Sequence, residues 1–238
     1  MCTPIKKQVE WTLDEKFMKI INESLENDKD EIAGKILFED HSCRENVCNK
    51  TIKDYTISKG DGASVLTPFG LINFHTHPKS AYHGENAKYG WPSGEDMAQS
   101  LYFADYGCLV HLVFTLEGVY VINIENTKLM KKNRKILEKV LRMTHVFRSK
   151  NQSEQVKNFK TFLGNTTAKT TLNMWLELVN NLTLKKLYEI YNSFNTKKVQ
   201  IPKDETKIFN VKLIKNKKSV KFKANFIDMK CHYKSFYG

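Results

Sequence analysis

The chain has 238 residues, 41% of them hydrophobic, including 14 Phe and 10 Tyr, so composition excludes wholesale disorder. No apolar run approaches the ~18 residues of a membrane span, and the N-terminal MCTPIKKQVEW lacks the hydrophobic region of a secretion signal. The net charge of +12 divides unevenly: residues 1–125 hold 12 Lys/Arg against 19 Asp/Glu (−7), and residues 126–238 hold 26 against 7 (+19). Such asymmetry points to two different jobs, one in each half. The basic half suits an anionic partner such as nucleic acid, a membrane surface or an acidic face in a larger protein assembly, and no membrane partner is expected. With 34 Lys and only 4 Arg, it lacks the forked guanidinium of specific base readout, so any nucleic-acid contact is expected to be nonspecific. Five scattered cysteines (Cys2, Cys43, Cys48, Cys108, Cys231) suit a reducing compartment, the cytoplasm or nucleus, better than a disulfide framework.

Taken in chain order, Thr12-Leu-Asp-Glu15 has the capping-box pattern. Leu13, Phe17, Ile20, Ile21 and Leu25 follow at helical spacing, which predicts a helix over 12–27. Residues 31–40 and 50–58 read as strands around a charged loop with Cys43 and Cys48, and 66–78 holds a third strand stopped by Pro78. Ser93-Gly-Glu-Asp96 starts another helix, with serine as N-cap and acids in its first turn. Two strongly apolar strands, 108–115 and 118–124, complete a mixed α/β (α+β) domain over 1–125. Beyond it, Leu129, Ile136, Leu137, Val140 and Leu141 form the apolar stripe of a basic amphipathic helix. A further helical stretch over 170–194 is weakened by Asn180-Asn181, and 208–214 with 219–227 read as a hairpin joined at Lys215–Lys218. The extension over 126–238 is thus expected to be helical with a β-hairpin.

Of the seven histidines, His75 and His77 stand one residue apart at a strand end, where alternation projects both to the same side. Paired imidazoles there suit a divalent ion, and zinc is the expected one. Asp96, at the start of the next helix, is placed to turn back as a third ligand. Two His and one carboxylate leave a fourth tetrahedral position open, the arrangement of a catalytic rather than structural zinc. Bound water would then need a nearby general base.

Glu31-Ile-Ala-Gly34, His75-Thr-His77-Pro78 and Pro92-Ser93-x-x-Asp96 together resemble the JAMM signature of the JAB/MPN-domain metalloproteases. That family includes isopeptidases of the proteasome lid and the signalosome, with archaeal, bacterial and large-DNA-virus relatives. The resemblance covers about residues 10–125, with 44 positions from Glu31 to His75. It implies a cytidine-deaminase-like fold, a mixed sheet flanked by helices, with Zn2+ as cofactor. It also implies hydrolysis at the C-terminus of ubiquitin or a ubiquitin-like modifier in a conjugate. Carried over by position, His75, His77 and Asp96 are metal ligands, Glu31 is the general base and Ser93 donates to the oxyanion. Glu39 is the rival base, disfavoured by spacing. One departure stands out: 18 residues separate His77 from Asp96, more than is usual in the family, and the extra SAYHGENAKYGW reads as a loop beside the metal.

Bland readings fit the remaining features. His83 is an exposed polar residue of that loop, Cys43 and Cys48 lack the partners of a zinc knuckle, and Cys108 is a small core residue. Lys131-Lys132 and Lys215–Lys218 are solvated faces. The alternative function is a non-catalytic MPN-fold structural or assembly protein, virion-associated and anchored through the basic half. Lys/Asn-rich, Arg-poor composition accords with the AT-rich genome of a large DNA virus.

Overall fold

The computed structural model describes residues 5–13, 15–26, 30–38, 43–44, 47–49, 52–60, 65–84, 88–125, 127–142, 171–215 and 219–226. In chain order the elements are β1 (Ile5–Thr12), α1 (Glu15–Glu26), β2 (Ile32–Phe38), β3 (Cys43–Arg44), β4 (Val47–Asn49), β5 (Ile52–Lys59), β6 (Ile72–Thr76), α2 (Lys79–Gly84), α3 (Gly94–Asp105), β7 (Val110–Phe114), β8 (Val119–Ile124), α4 (Thr127–Arg142), α5 (Leu172–Asn180), α6 (Leu184–Phe194), β9 (Phe209–Ile214) and β10 (Ser219–Phe226).

Every residue of β6 and β7 is buried, as strands covered on both faces require. They form the parallel centre of a six-stranded mixed sheet in the order β5-β2-β6-β7-β8-β9, whose other pairs are antiparallel. Alternation sends Phe74, Leu112, Phe114 and Val121 to one face, where Phe17, Ile21 and Leu25 of α1 close over them. Phe17 sits edge-on to both Phe74 and Phe114, at centroid distances of 5.2 and 5.9 Å. Val113, Tyr120 and Ile122 point the other way, into a second core with α3, α4, α5 and α6. The molecule is a mixed α/β protein with helices on both faces of the sheet.

The chain's charge changes near residue 125, but its packing does not. Leu137, Val140 and Leu141 of α4, Trp175 of α5 and Leu187 of α6 share one core with Met97 and Leu101 of α3. Strand β9 joins the main sheet against β8, from Val119↔Ile214 to Ile124↔Phe209. At this exposed edge the Asn180 amide stands in for a neighbouring strand: Nδ2 donates to Val211 O (2.9 Å) and Oδ1 accepts from Val211 N (2.7 Å).

Several expectations are corrected here. The 208–214 and 219–227 segments do not pair as a hairpin: β9 lies against β8, whereas β10 pairs antiparallel with β1 in a separate sheet ordered β10-β1-β4-β3. Strand β9 pairs along its whole length with β8, and β10 pairs over eight residues with β1, more than the six-residue β9 could offer it. The strand β1, not foreseen, ends at Thr12, so α1 begins at Glu15, three residues after the predicted cap. Helix 170–194 is two helices, because Thr183 caps α6 by accepting from Lys186 N at 3.2 Å. Among the described residues, no helix is long and apolar enough to cross a membrane.

Gly34 shows how tightly β2 is seated. A Cβ there would lie 1.9 Å from Thr56 O and 2.6 Å from Phe74 Cζ. The Gly34→Ala protein is expected to lose at least the ~1–3 kcal/mol typical of overpacking. A denaturant midpoint equal to that of the wild type would show that β2 and β5 can part without loss.

Candidate metal centre

The site grows from the end of β6. There β2 runs antiparallel with Ala33 opposite His75, and continuing this register places Glu31 across from His77. Residues directly opposite in an antiparallel pair project to the same face, so Glu31, His75 and His77 share a side. Thr76, between the histidines, projects the other way; its hydroxyl accepts from Ile32 N at 3.0 Å and lies 3.0 Å from Ser24 Oγ. This buried knot ties α1, β2 and β6 together directly behind Glu31.

Helix α3 brings the third group. The Ser93 hydroxyl accepts from Asp96 N (3.2 Å), and the Asp96 carboxylate accepts in return from Ser93 N (2.7 Å). The serine N-cap is as expected, and the return bond makes it a reciprocal capping box that also orients the carboxylate. Asp96 Oδ1 lies 3.2 Å from His75 Nε2, Oδ2 lies 3.3 Å from His77 Nε2, and the two Nε2 atoms are 3.0 Å apart. His75, His77 and Asp96 thus form a group that could hold a metal ion.

The donor set fits such an ion. Two donors each ~2.0–2.1 Å from a tetrahedral zinc lie about 3.3 Å apart, close to all three separations. His77 Nδ1 donates to Gly90 O at 2.7 Å, which leaves its lone pair on Nε2. His75 Nδ1 lies 3.0 Å from His111 Nε2, and so is also engaged away from the centre. Two imidazole lone pairs facing each other at that separation repel unless a proton or a cation lies between them.

The segment between His77 and Asp96 folds as α2 and then returns along the site. Gly90 is held by Glu117 of the β7–β8 turn, whose Oε1 accepts from Gly90 N at 2.9 Å and from the Tyr120 hydroxyl at 2.8 Å. Tyr82 donates to Glu117 Oε2 at 2.5 Å. A Cβ on Gly90 would come within 2.2 Å of the Tyr82 oxygen, so glycine is required for this close approach. Trp91 then stacks on Trp175 of α5 at 5.6 Å, joining the insertion to the basic half.

Burial and neighbouring charges act against each other at His77 and Asp96. Burial would push His77 down, but the Asp96 carboxylate beside it and the nearby Glu31 raise it to about 9. For Asp96, burial acts upward, yet the two imidazoles hold it well below the usual carboxylate range. Burial raises Glu31, with partial opposition from His77 and His75. Burial also drives His111 well below the ordinary histidine range, which keeps it neutral. A cation entering the cluster must displace the proton that His77 retains up to about pH 9. Apparent metal affinity is therefore expected to rise about tenfold per pH unit through the neutral range. Competition with a chromophoric chelator measures this, and a flat profile would contradict the displaced proton.

The structure therefore gathers His75, His77, Asp96, Ser93 and Glu31 at one place. Glu39 and the side chains of His83, Cys43 and Cys48 lie outside the described residues, although the backbones of Cys43 and Cys48 face each other between β3 and β4. Cys108 is buried, and its thiol donates to Asn73 Oδ1. Lys131 is exposed and paired with Asp105 at 3.2 Å, and Lys215 is exposed, whereas 216–218 lie outside the described residues. Sequence reasoning missed Asn73, Gly90, His111 and Glu117. A signal existed for two of them: Asn73 is two residues from His75, on the same face, and His111 interrupts an otherwise apolar strand.

No family model matches the chain, and no solved structure does. Over 67 residues, 28% of this chain, it is 40% identical to the "Uncharacterized protein 3R" of Frog virus 3 (isolate Goorha), and that stretch is only 15% of the viral protein's length.

Proposed function

We propose that the chain is a zinc-dependent hydrolase of the JAMM type, with an MPN-like arrangement of its sheet, that cleaves isopeptide or peptide bonds at the C-terminus of ubiquitin or a ubiquitin-like modifier. The observation that carries this reading is the His75–His77–Asp96 cluster, with donor atoms 3.0–3.3 Å apart and Glu31 across the strand pair. Similarity to a Frog virus 3 protein supports a viral source.

His75, His77 and Asp96 would hold the ion. Zinc, when bound, supplies a Lewis acid and brings a coordinated water toward neutrality in pKa. Glu31 takes a proton from the attacking water as its oxygen adds to the scissile carbonyl carbon. Burial raises the Glu31 pKa, which suits a group that must both accept and return a proton. Ser93 accepts its capping bond from Asp96 N, so its hydroxyl hydrogen remains for donation to the carbonyl oxygen as negative charge develops there. When the C–N bond breaks, Glu31 passes its proton to the departing lysine amine.

The test combines metal content with turnover. Purified protein is expected to carry about one zinc per chain and to shorten ubiquitin chains in a reaction that a chelator stops. Protein that takes up no zinc, or cleavage that ignores the chelator, would overturn the proposal.

A further inference from the structure

We infer that His111 is a positioning residue of the metal centre: by accepting a hydrogen bond from His75 Nδ1, it holds His75 in the tautomer and orientation that ligate through Nε2. The inference rests on the metal-binding reading of the His75–His77–Asp96 cluster.

The direction of each bond in this buried chain follows from the one before it. The amide's orientation is set by Pro68 O, which only accepts and lies 3.4 Å from Nδ2, while Oδ1 shares the single Cys108 thiol hydrogen, at 3.3 Å, with Val110 O at 3.2 Å. The amide oxygen is therefore the end turned toward His111 Nδ1, 2.7 Å away. An amide oxygen cannot donate, so His111 Nδ1 carries the hydrogen and the lone pair of the neutral ring lies on Nε2. That lone pair is 3.0 Å from His75 Nδ1, which must donate. The His75 lone pair is left on Nε2, facing Asp96.

Topology explains why a side chain does this work for His75. His77 lies just past the strand end, where the Gly90 carbonyl reaches its ring. His75 is inside β6, whose backbone carbonyls lie in the ladder with β2 and β7, roughly perpendicular to the side chains. A second strand must supply the acceptor. The parallel register sets Asn73 beside His111, on the same face as His75. Phe103 of α3, 5.3 Å from the His111 ring, closes this face. Asn73, His75 and His111 are 0%, 4% and 2% exposed, so solvent has little access to replace a lost partner. Because an amide rather than a carboxylate ends the chain, it orients His75 without adding negative charge to the centre.

The simpler account is a polar network that merely satisfies itself within the core. On that account, removing His111 lowers the stability of the metal-free protein and leaves zinc affinity unchanged. Zinc affinity by chelator competition in the wild type, His111→Leu and His111→Gln separates the two. Nitrogen-15 spectra of the histidine rings in zinc-loaded wild type read the His75 tautomer directly. His111→Leu is expected to bind zinc about 10–100-fold more weakly. His111→Gln, whose amide oxygen can accept the same hydrogen, recovers most of that loss, and His75 carries its hydrogen on Nδ1. Wild-type affinity in His111→Leu, a Gln variant as weak as the Leu variant, or a His75 hydrogen on Nε2 would overturn the inference. If His111→Leu does not fold, the Gln variant and the wild-type spectrum still decide. Wild type without zinc affinity overturns both this inference and the proposed function, whereas zinc binding that is indifferent to His111 overturns this inference alone.

Discussion

Glu31→Gln protein is expected to keep its zinc and lose turnover by about 10²–10⁴-fold, the usual contribution of a positioned proton-transfer group. The amide occupies the same volume at the start of β2, so the register with β6 and the knot formed by Thr76, Ser24 and Ile32 N remain intact. Only the proton acceptor is lost. Asp96→Ala is the complementary change, expected to lose the ion itself and, with it, the bond that orders Ser93 N. Elemental analysis beside a ubiquitin-chain assay resolves the pair. A Glu31→Gln variant as active as wild type removes the general base and leaves a metal site without the proposed chemistry. A scaffold protein would show the same assembly behaviour in both forms.

Trp175→Ala is expected to destabilise the fold by about 3–5 kcal/mol, near the maximum for a single core truncation. Its indole is fully buried between Trp91 and Tyr120, at centroid distances of 5.6 and 5.5 Å. At about 2–4 °C per kcal/mol for a chain of this size, the melting temperature should fall by about 6–20 °C. Trp175→Phe should lose far less, because the indole Nε1 has no hydrogen-bond partner among the described residues and its removal strands nothing. The consequence extends to the site. Trp91 follows Gly90, whose carbonyl orients His77, so the Ala variant is also expected to bind zinc more weakly than Trp175→Phe. Equal stability of the Ala and Phe variants would show that residues 126–238 lend no packing to the centre.

Local signals were the legible ones. Ser93 could be read as an N-cap because its hydroxyl and the free N–H groups it serves lie within one helical turn. The bond from Asp96 N forms as expected, whereas the return bond from Ser93 N to the Asp96 carboxylate was not foreseen. His75 and His77 could be placed on one side of a strand because the period of two is a property of the backbone. The apolar runs of β6, β7 and β8, with the amphipathic stripe of α4, likewise announced elements that α1, α3 and α6 then cover. The mixed α/β class followed from their order.

What sequence alone determined, then, was element type and the chemistry of the donors, both set within a few residues along the chain. Partnership between distant segments was decided by tertiary structure. Strands β9 and β10 have ordinary hairpin spacing, yet each satisfies its backbone at an edge far away in sequence, β9 along β8 and β10 along β1. The change of charge near residue 125 is not mirrored in the core for a related reason: charge marks the solvated faces of α4, while Leu137 and Trp175 face inward to a core shared with α3. Glu31 meets His77 only through the β2–β6 register, and Asn73 meets His111 only through the β6–β7 register. No local pattern encodes either meeting, since each depends on which strands the whole sheet places side by side.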